Sequence, residues 1–367
     1  MKNKEPLSLY IHIPFCEHIC DYCDFPKLQY FRLFAENYLK AFKKELDSYK
    51  IRHQLKTIYI GGGTPTALED DLFVELLKIV EPFTKGVREY TIEANPESLS
   101  KEKLDLMKAY GVNRISIGVE STNDEVLKNI NRHHTFQDVQ TAVLNARNAG
   151  FDNLNVDLII GLPDVNKEQF LSDLKNVMSL KVEHISCYSL TVHPNTVFGI
   201  KKVIEPEEEF ARDIYDLAHD FLKENGFVHY EISNWAKPGY ESKHNYTYWI
   251  NEPYYGVGLG ASGFINDIRY TNTRNLKKYL KGEYIEEKSE NTIEDDKFCT
   301  IMLNLRTVEG IDLNQYKDKY GEDLRLKYQE QIDGFINDGY LTIENEHLCP
   351  TYNGMMILDQ IIMELTK

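Results

Sequence analysis

Tyr10-Ile-His-Ile-Pro-Phe-Cys16-Glu-His-Ile-Cys20-Asp-Tyr-Cys23-Asp-Phe25 is the stretch on which the reading of this chain turns. Its cysteines are spaced Cys-x3-Cys-x2-Cys, which gathers three sulfurs on one short loop and suits a metal cluster. An iron–sulfur cube ordinarily takes four cysteine thiolates, so three leave one iron open to hold a reactant. Other readings of the same residues stand beside this one. Structural zinc would take His12 or His18 as a fourth ligand, and unligated thiols need no metal at all. A disulfide is disfavoured, because cytosolic thiols stay reduced and nothing in the chain suggests export.

The apolar run at residues 7–13 places this loop after a strand. Further strands are expected at 56–60, 89–94, 114–119, 154–160 and 184–190, each short, apolar and rich in Ile, Val or Tyr, as in strands buried on both faces. Amphipathic helices are expected between and after them, at 33–49, 67–83, 101–110, 124–130, 135–149, 167–180 and 207–224. Gly111 and Gly150 read as helix ends, and Thr135 with Asp138 as an N-terminal cap. Six βα units in succession predict an α/β fold with a parallel sheet, doubly wound or curved into a partial barrel. Chemistry in such sheets collects at the strand C-terminal ends.

After residue 240 the alternation stops. Residues 244–270 are rich in Tyr, Trp and Gly. Helices at 294–306, 313–320, 324–337 and 352–365, with a small hairpin at 340–343 and 347–349, predict a smaller, winged-helix-like α+β domain. The expected organisation is a core domain over 1–240 and a C-terminal domain over 241–367. In an acidic chain, packing or docking of a partner suits that domain better than DNA binding.

The chain has 367 residues, 27% charged and 42% apolar, with a net charge of −16. That composition describes a globular protein. Affinity for nucleic acid comes mainly from Lys and Arg neutralising phosphates, so the acidic balance argues against RNA or DNA as substrate. Residues 1–7 carry no apolar signal segment and no run is long enough for a membrane span, so the expectation is a cytoplasmic protein. Cys187, Cys299 and Cys349 stand alone in apolar surroundings and read as small core residues.

Several motifs fall at strand ends. Gly61-Gly62-Gly63-Thr64-Pro65-Thr66 allows close backbone approach and frees amide donors, which fits an amino-acid carboxylate or ammonium; a plain strand-to-helix turn is the alternative. The Gly-Lys-Ser/Thr ending of a P-loop is absent. Glu93, Glu120 and Asp157 sit at or inside strand ends among apolar neighbours, where a charge needs a ligand or a counter-ion. Arg132 is a candidate counter-charge, unless it is a solvated surface residue. Gly258-Leu-Gly260-Ala-Ser-Gly263 matches the dinucleotide fingerprint Gly-x-Gly-x-x-Gly, but no helix signal follows it and it is rejected.

Taken together, Tyr-x-His-Ile-Pro-Phe-Cys-x3-Cys-x2-Cys and Gly-Gly-Gly-Thr-Pro-Thr make the chain resemble, over nearly its full length, the radical S-adenosylmethionine (SAM) proteins of the oxygen-independent coproporphyrinogen III oxidase type. The resemblance implies a partial (β/α)6 barrel in which Cys16, Cys20 and Cys23 bind a [4Fe–4S] cluster and SAM chelates its fourth iron. It also implies SAM contacts from Tyr10, Tyr22, Gly62, Gly63, Thr64, Glu93, Arg132, Asp157 and Thr191. Glu120 stands where the family usually has Gln. The oxidases carry a further cysteine where this chain has Phe25, and a longer arm ahead of the cluster; both departures argue against coproporphyrinogen decarboxylation.

His244-Asn245-Tyr246-Thr247-Tyr248-Trp249 is similar to the His-Asn-x-x-Tyr-Trp motif of the haem-chaperone branch, the HemW type. Imidazole is a common haem-iron ligand, and in an extended segment His244, Tyr246 and Tyr248 would share one face. A hydrogen-bonded His in an aromatic core strand is the plainer reading of those residues alone. The resemblance implies a haem chaperone that binds haem with His244 as a ligand and passes it to an acceptor protein, with cluster and SAM retained. An electron donor such as flavodoxin or ferredoxin is implied if SAM is cleaved, and a homodimer stays open. The alternatives are a porphyrinogen oxidase, another radical SAM enzyme acting on a porphyrin or haem, and an RNA-modifying enzyme of the superfamily.

Overall fold

Six strands, β1 (Ser8–Ile13), β2 (Thr57–Gly62), β3 (Glu89–Ala94), β4 (Arg114–Glu120), β5 (Leu154–Ile160) and β6 (His184–Ser189), run parallel and side by side in chain order. The computed structural model describes residues 5–367; residues 1–4, part of the N-terminal stretch read above, lie outside the described residues. Helices α1 (Arg32–Ser48), α2 (Asp70–Val80), α3 (Lys101–Ala109), α4 (Asp124–Asn129), α5 (Phe136–Asn148) and α6 (Lys167–Ser179) fill the crossovers, and α7 (Val197–Lys201) and α8 (Glu208–Glu224) follow β6. Local signals account for several ends. Thr135 and Asp138 form a capping box at α5, and Gly111 and Gly150 take positive φ of 85° and 84° just past α3 and α5.

The strands are not apolar on both sides. Leu9, Ile11, Ile13, Ile58, Ile60, Ile92, Ile115 and Ile117 are fully buried core residues. The alternate positions form polar layers by register: Ser8 beside Thr57 and Thr57 beside Glu89, then Tyr10, Tyr59, Thr91 and Arg114, then Glu93, Ser116, Asn155 and His184, then Gly118, Asp157 and Ser186. A period of two thus separates an oily outer face from an interior able to hold charge.

The sheet is extended at both edges. β7 (Val228–Glu231) and β8 (Asn234–Ala236) form an antiparallel hairpin beside β6, and β9 (Tyr255–Val257) pairs in parallel with β1. The nine strands form an open sheet, the partial barrel expected of six βα units. Gly258 and Gly260 lie between β9 and the strand Ser262–Ile265, with no helix at the glycines.

Lys243–Trp249 is a helix, α9, where the alternating aromatics had suggested an extended segment. Its first amides find acceptors that the sequence does not place nearby. The Glu89 carboxylate accepts from Lys243 N and His244 N at 2.9 Å each, and Ser242 caps Asn245 N.

Buried residues from Leu9 to Tyr279 form one core, and those from Ile301 to Leu365 form a second. Residues 243–279 therefore pack with the barrel, although the sequence reading assigned them to the C-terminal domain; β9 completes the barrel edge. The second core lies under helices including Ile293–Asn304, Leu313–Tyr320 and Gln329–Asn337 and a three-stranded sheet of Ile311–Asp312, Leu341–Glu344 and His347–Pro350. Cys187 and Cys349 are buried as expected, whereas Cys299 is partly exposed. No helix among the described residues is long and apolar enough to cross a membrane.

Candidate functional site

The cysteine loop rises from the C-terminal end of β1 and is closed by a short parallel pairing of Phe15–Cys16 with Leu28–Gln29. Cys16 is buried, and Cys20 and Cys23 are half-buried. All three line a cavity of about 430 Å³ at the C-terminal ends of the strands.

Gly62 and Gly63 bring the chain after β2 against this loop. A Cβ on Gly63 would lie 2.9 Å from Cys16 Sγ, and one on Gly62, whose φ is +112°, would strike the His12 ring. Gly62 N donates to Glu93 at 2.9 Å, and Tyr59 Oη donates to the same carboxylate at 2.7 Å. Burial still pushes Glu93 up to about 7.

β4 ends in a register shift, with Glu120 at φ +65°, an unusual conformation for a non-glycine residue. The turn is held from behind by Asp173 on α6, which accepts from Ser121 Oγ at 2.9 Å, Thr122 N at 3.0 Å and Thr122 Oγ1 at 2.6 Å. Burial pushes Glu120 up to about 7 against the opposing charge of Arg132, 3.6 Å away. Arg132 also donates to Asn95 Oδ1 at 3.0 Å, to the Gly118 carbonyl and to Cys20 Sγ at 3.6 Å. Asp157 is raised by burial and held by hydrogen bonds from Ser186, Asn155 and Ser116.

This donor set fits a cluster and an amino-acid group. Three thiols line one cavity, and glycines leave room where any side chain would collide. Arg132 Nε is buried with no hydrogen-bond partner among the described residues. Burial pushes the Cys16 thiol up to about 12, and a bound metal would deprotonate it as a ligand. The zinc alternative lacks a ready fourth ligand in His12, whose ring nitrogens meet Tyr10 Oη at 2.9 Å and the Pro26 carbonyl at 2.7 Å. His18 stacks on His133 with ring centres 3.6 Å apart.

Tyr22, Gly62, Gly63, Thr64, Glu93, Glu120, Arg132, Asp157 and Thr191 all line the cysteine cavity. Tyr10 does not; it lines a second, open cavity of about 340 Å³ that shares Asp24 and Phe25 with the first. Phe25, 62% exposed, stands on the border between them. His244 lines neither cavity. Its ring is fully buried near the N-terminal ends of the strands, hydrogen-bonded to Thr57 Oγ1 and Tyr248 Oη at 2.8 Å each, and burial lowers it to about 3. It is a neutral imidazole with both nitrogens engaged.

Sequence reasoning passed over Arg114, a buried guanidinium in the barrel interior that opposes the upward shifts of Glu93 and Asp157. The only signal was a lone Arg opening an otherwise apolar strand. It also passed over Arg274, Tyr248 and Tyr254 as walls of one cavity, which no local pattern joins.

Two family models match the chain, the Radical SAM superfamily over residues 10–177 and the HemN C-terminal domain over residues 294–357. A Radical SAM domain implies a [4Fe–4S] cluster and SAM. Among curated proteins the chain is 38% identical to heme chaperone HemW of Lactococcus lactis, covering 96% of this chain and 95% of that protein. It is 36% identical to HemW of Bacillus subtilis, covering 96% and 97%, and 35% identical to HemW of Escherichia coli, covering 99% and 98%. Among solved structures, coproporphyrinogen III oxidase (HemN) from Escherichia coli superposes with a TM-score of 0.87 at 24% identity, covering 99% of this chain and 90% of that one. That likeness establishes the fold.

Proposed function

The chain belongs to the HemW family, and from that premise we propose that it is a haem chaperone, binding haem and passing it to an acceptor protein. One observation carries the reading: the similarity to HemW of Lactococcus lactis runs through 96% of this chain, barrel and C-terminal domain together. Phe25 supports it from the site, since an exposed phenyl ring stands where the oxidases carry a further cysteine.

Cys16, Cys20 and Cys23 hold the [4Fe–4S] cluster in this reading. When bound, the cluster supplies an open iron for the amino and carboxylate groups of SAM and a source of one electron. The chain's own residues do the rest. Glu93, fixed by Tyr59 and Gly62, offers a carboxylate that accepts from the N–H of the SAM amino group. Arg132 holds Glu120 and the Cys20 end of the loop in place and adds positive charge beside the cluster. Tyr22, Gly63, Thr64, Asp157 and Thr191 complete the wall. His244 enters through the frame of the second cavity, by its hydrogen bond to Tyr248.

Two anaerobic assays on cluster-reconstituted protein test the reading. Hemin is expected to bind saturably, and coproporphyrinogen III is expected to remain unconverted in the presence of SAM and reductant. Formation of protoporphyrinogen IX would replace the chaperone by an oxidase.

A further inference from the structure

Among the described residues Arg114 and Arg132 are the only buried arginines, and no lysine is buried. Their commitments differ. Arg132 pairs with Glu120 and donates to Asn95, the Gly118 carbonyl and Cys20 Sγ. Arg114 opens β4 at 2% exposure, and its side chain makes no hydrogen bond or ion pair among the described residues. Thr91, its register partner on β3, is fully buried, and its Oγ1 has no partner among those residues either. A guanidinium cannot shed its proton, so what Arg114 contributes inside the barrel is a fixed positive charge.

The layers of the barrel set what that charge meets. Arg114 shares a layer with Tyr59 and Thr91; Glu93 stands one layer nearer the cysteine cavity, and Asp157 one beyond that. Both carboxylates line the cavity, and neither forms an ion pair among the described residues. Glu120 by contrast has Arg132, and Glu89 is taken up by the first amides of α9. Glu93 also faces the phenols of Tyr10 on β1, Tyr59 on β2, Tyr188 on β6 and Tyr248 on α9, which burial holds protonated. Asp157 also faces Glu120 and the Cys187 thiol. His184 and His244 face Arg114 itself, and burial keeps both neutral. Among these groups Arg114 is the cation set against the two floor carboxylates.

We propose that Arg114 is a positioning residue for SAM, its guanidinium keeping Glu93 and Asp157 charged beneath the ligand; the proposal rests on the reading of the cysteine cavity as the SAM site. SAM carries a permanent positive charge on sulfur. Two ionised carboxylates over one guanidinium leave a single negative charge on the floor, which matches it. Without Arg114 the two carboxyls would hold a proton between them, as like charges do in a weakly screened interior. Glu93 would then lose the acceptor it offers to the SAM amino group. Arg114 does not line the cavity; it acts through Glu93 and sets the pH range over which the site is formed.

Titration of Glu93 in the cluster-reconstituted, SAM-free protein tests this, read by infrared difference spectroscopy of its carboxylic acid band. Loss of the band in Glu93→Gln assigns it. Arg114→Met is expected to raise the midpoint by about one pH unit or more, and Arg114→Lys to return it toward wild type. Arg114→Gln carries the same expectation should Arg114→Met not fold. Asp157→Asn, which removes the neighbouring negative charge and keeps Arg114, is expected to lower the midpoint. SAM binding by calorimetry supplies a second readout. At pH 7 Arg114→Met should bind SAM up to about fivefold more weakly, the loss of ionised Glu93 that one unit implies. At pH 9 it should bind as tightly as wild type or tighter, because Glu93 is ionised in both proteins and a repelling cation has gone. An unmoved Glu93 midpoint overturns the proposal, as does a loss of affinity that is equal at both pH values. A wild type that binds no SAM at any pH overturns the SAM reading of the cavity, and this role with it.

Discussion

Gly63→Ala is a single-carbon probe of the cysteine loop. The backbone of Gly63 does not take a positive φ, so alanine adds a methyl group and nothing else. That methyl would lie 2.8 Å from the Phe15 carbonyl oxygen, 2.9 Å from Cys16 Sγ and 2.9 Å from Pro14 C. Non-bonded carbon contacts prefer about 3.5–4.0 Å, so the 14–16 segment must retreat by roughly 0.6–1 Å. Phe15 is fully buried, edge-on to Tyr38 at 5.4 Å and Tyr30 at 6.2 Å between ring centres, so its side chain resists that retreat. The displacement falls on Cys16. Overpacking of this kind costs about 1–3 kcal/mol, and a preorganised site tolerates only about 0.5 Å of drift. Anaerobic reconstitution of Gly63→Ala, with iron and sulfide counted per chain and SAM binding measured by equilibrium dialysis, should give a folded protein. Its cluster should be substoichiometric and its SAM affinity at least about tenfold lower, roughly 1.4 kcal/mol. A variant that takes a full cluster, binds SAM as tightly as wild type and melts at the same temperature would refute the close packing of loop and glycines.

Three further outcomes follow from the same geometry. Glu93, raised to about 7, accepts from the N–H of the SAM amino group best when ionised, so SAM affinity should fall by up to about tenfold as pH drops from the plateau near 8 to 6; the dependence should be smaller in Glu93→Gln, and a flat wild-type profile would contradict the assignment. Arg132→Met removes the counter-charge of buried Glu120. Breaking such a pair costs about 3–5 kcal/mol with the carboxylate ionised, and protonation relieves it. Because the folded carboxyl of Glu120 is raised, the penalty grows as pH rises through about 7; the melting temperature should therefore drop more at pH 8 than at pH 6, and an equal drop would count against the pairing. Asp173→Ala strips the acceptors from Ser121 and Thr122 behind the Glu120 turn. It should destabilise by about 1–3 kcal/mol and weaken SAM binding, and chemical denaturation with a SAM titration would check both.

The six parallel strands were legible because each carries buried apolar side chains at alternate positions, from Leu9, Ile11 and Ile13 in β1 to Ile185 and Cys187 in β6. The cysteine cavity was legible because its residues follow strand ends, where parallel sheets gather their loops. Short elements gave no such signal. Tyr255–Val257 is three residues long and owes its place to pairing with β1. Ile285–Glu290 has every residue exposed, so no hydrophobic alternation marks it as a strand. The segment around His244 misled for a physical reason. Tyr246 and Tyr248 suggest alternation, but Glu89, 155 positions before His244, supplies the acceptors that let a helix begin there. The second cavity joins residues 10, 25, 248, 254 and 274, a convergence that only tertiary structure creates.

The most direct test of the account is a hemin titration of the anaerobically reconstituted chain, with and without SAM, followed by absorbance. One saturable equivalent of hemin per chain, bound alongside a full cluster, with coproporphyrinogen III left unconverted, is the predicted result. Hemin that never saturates, or protoporphyrinogen IX produced in its place, would contradict it.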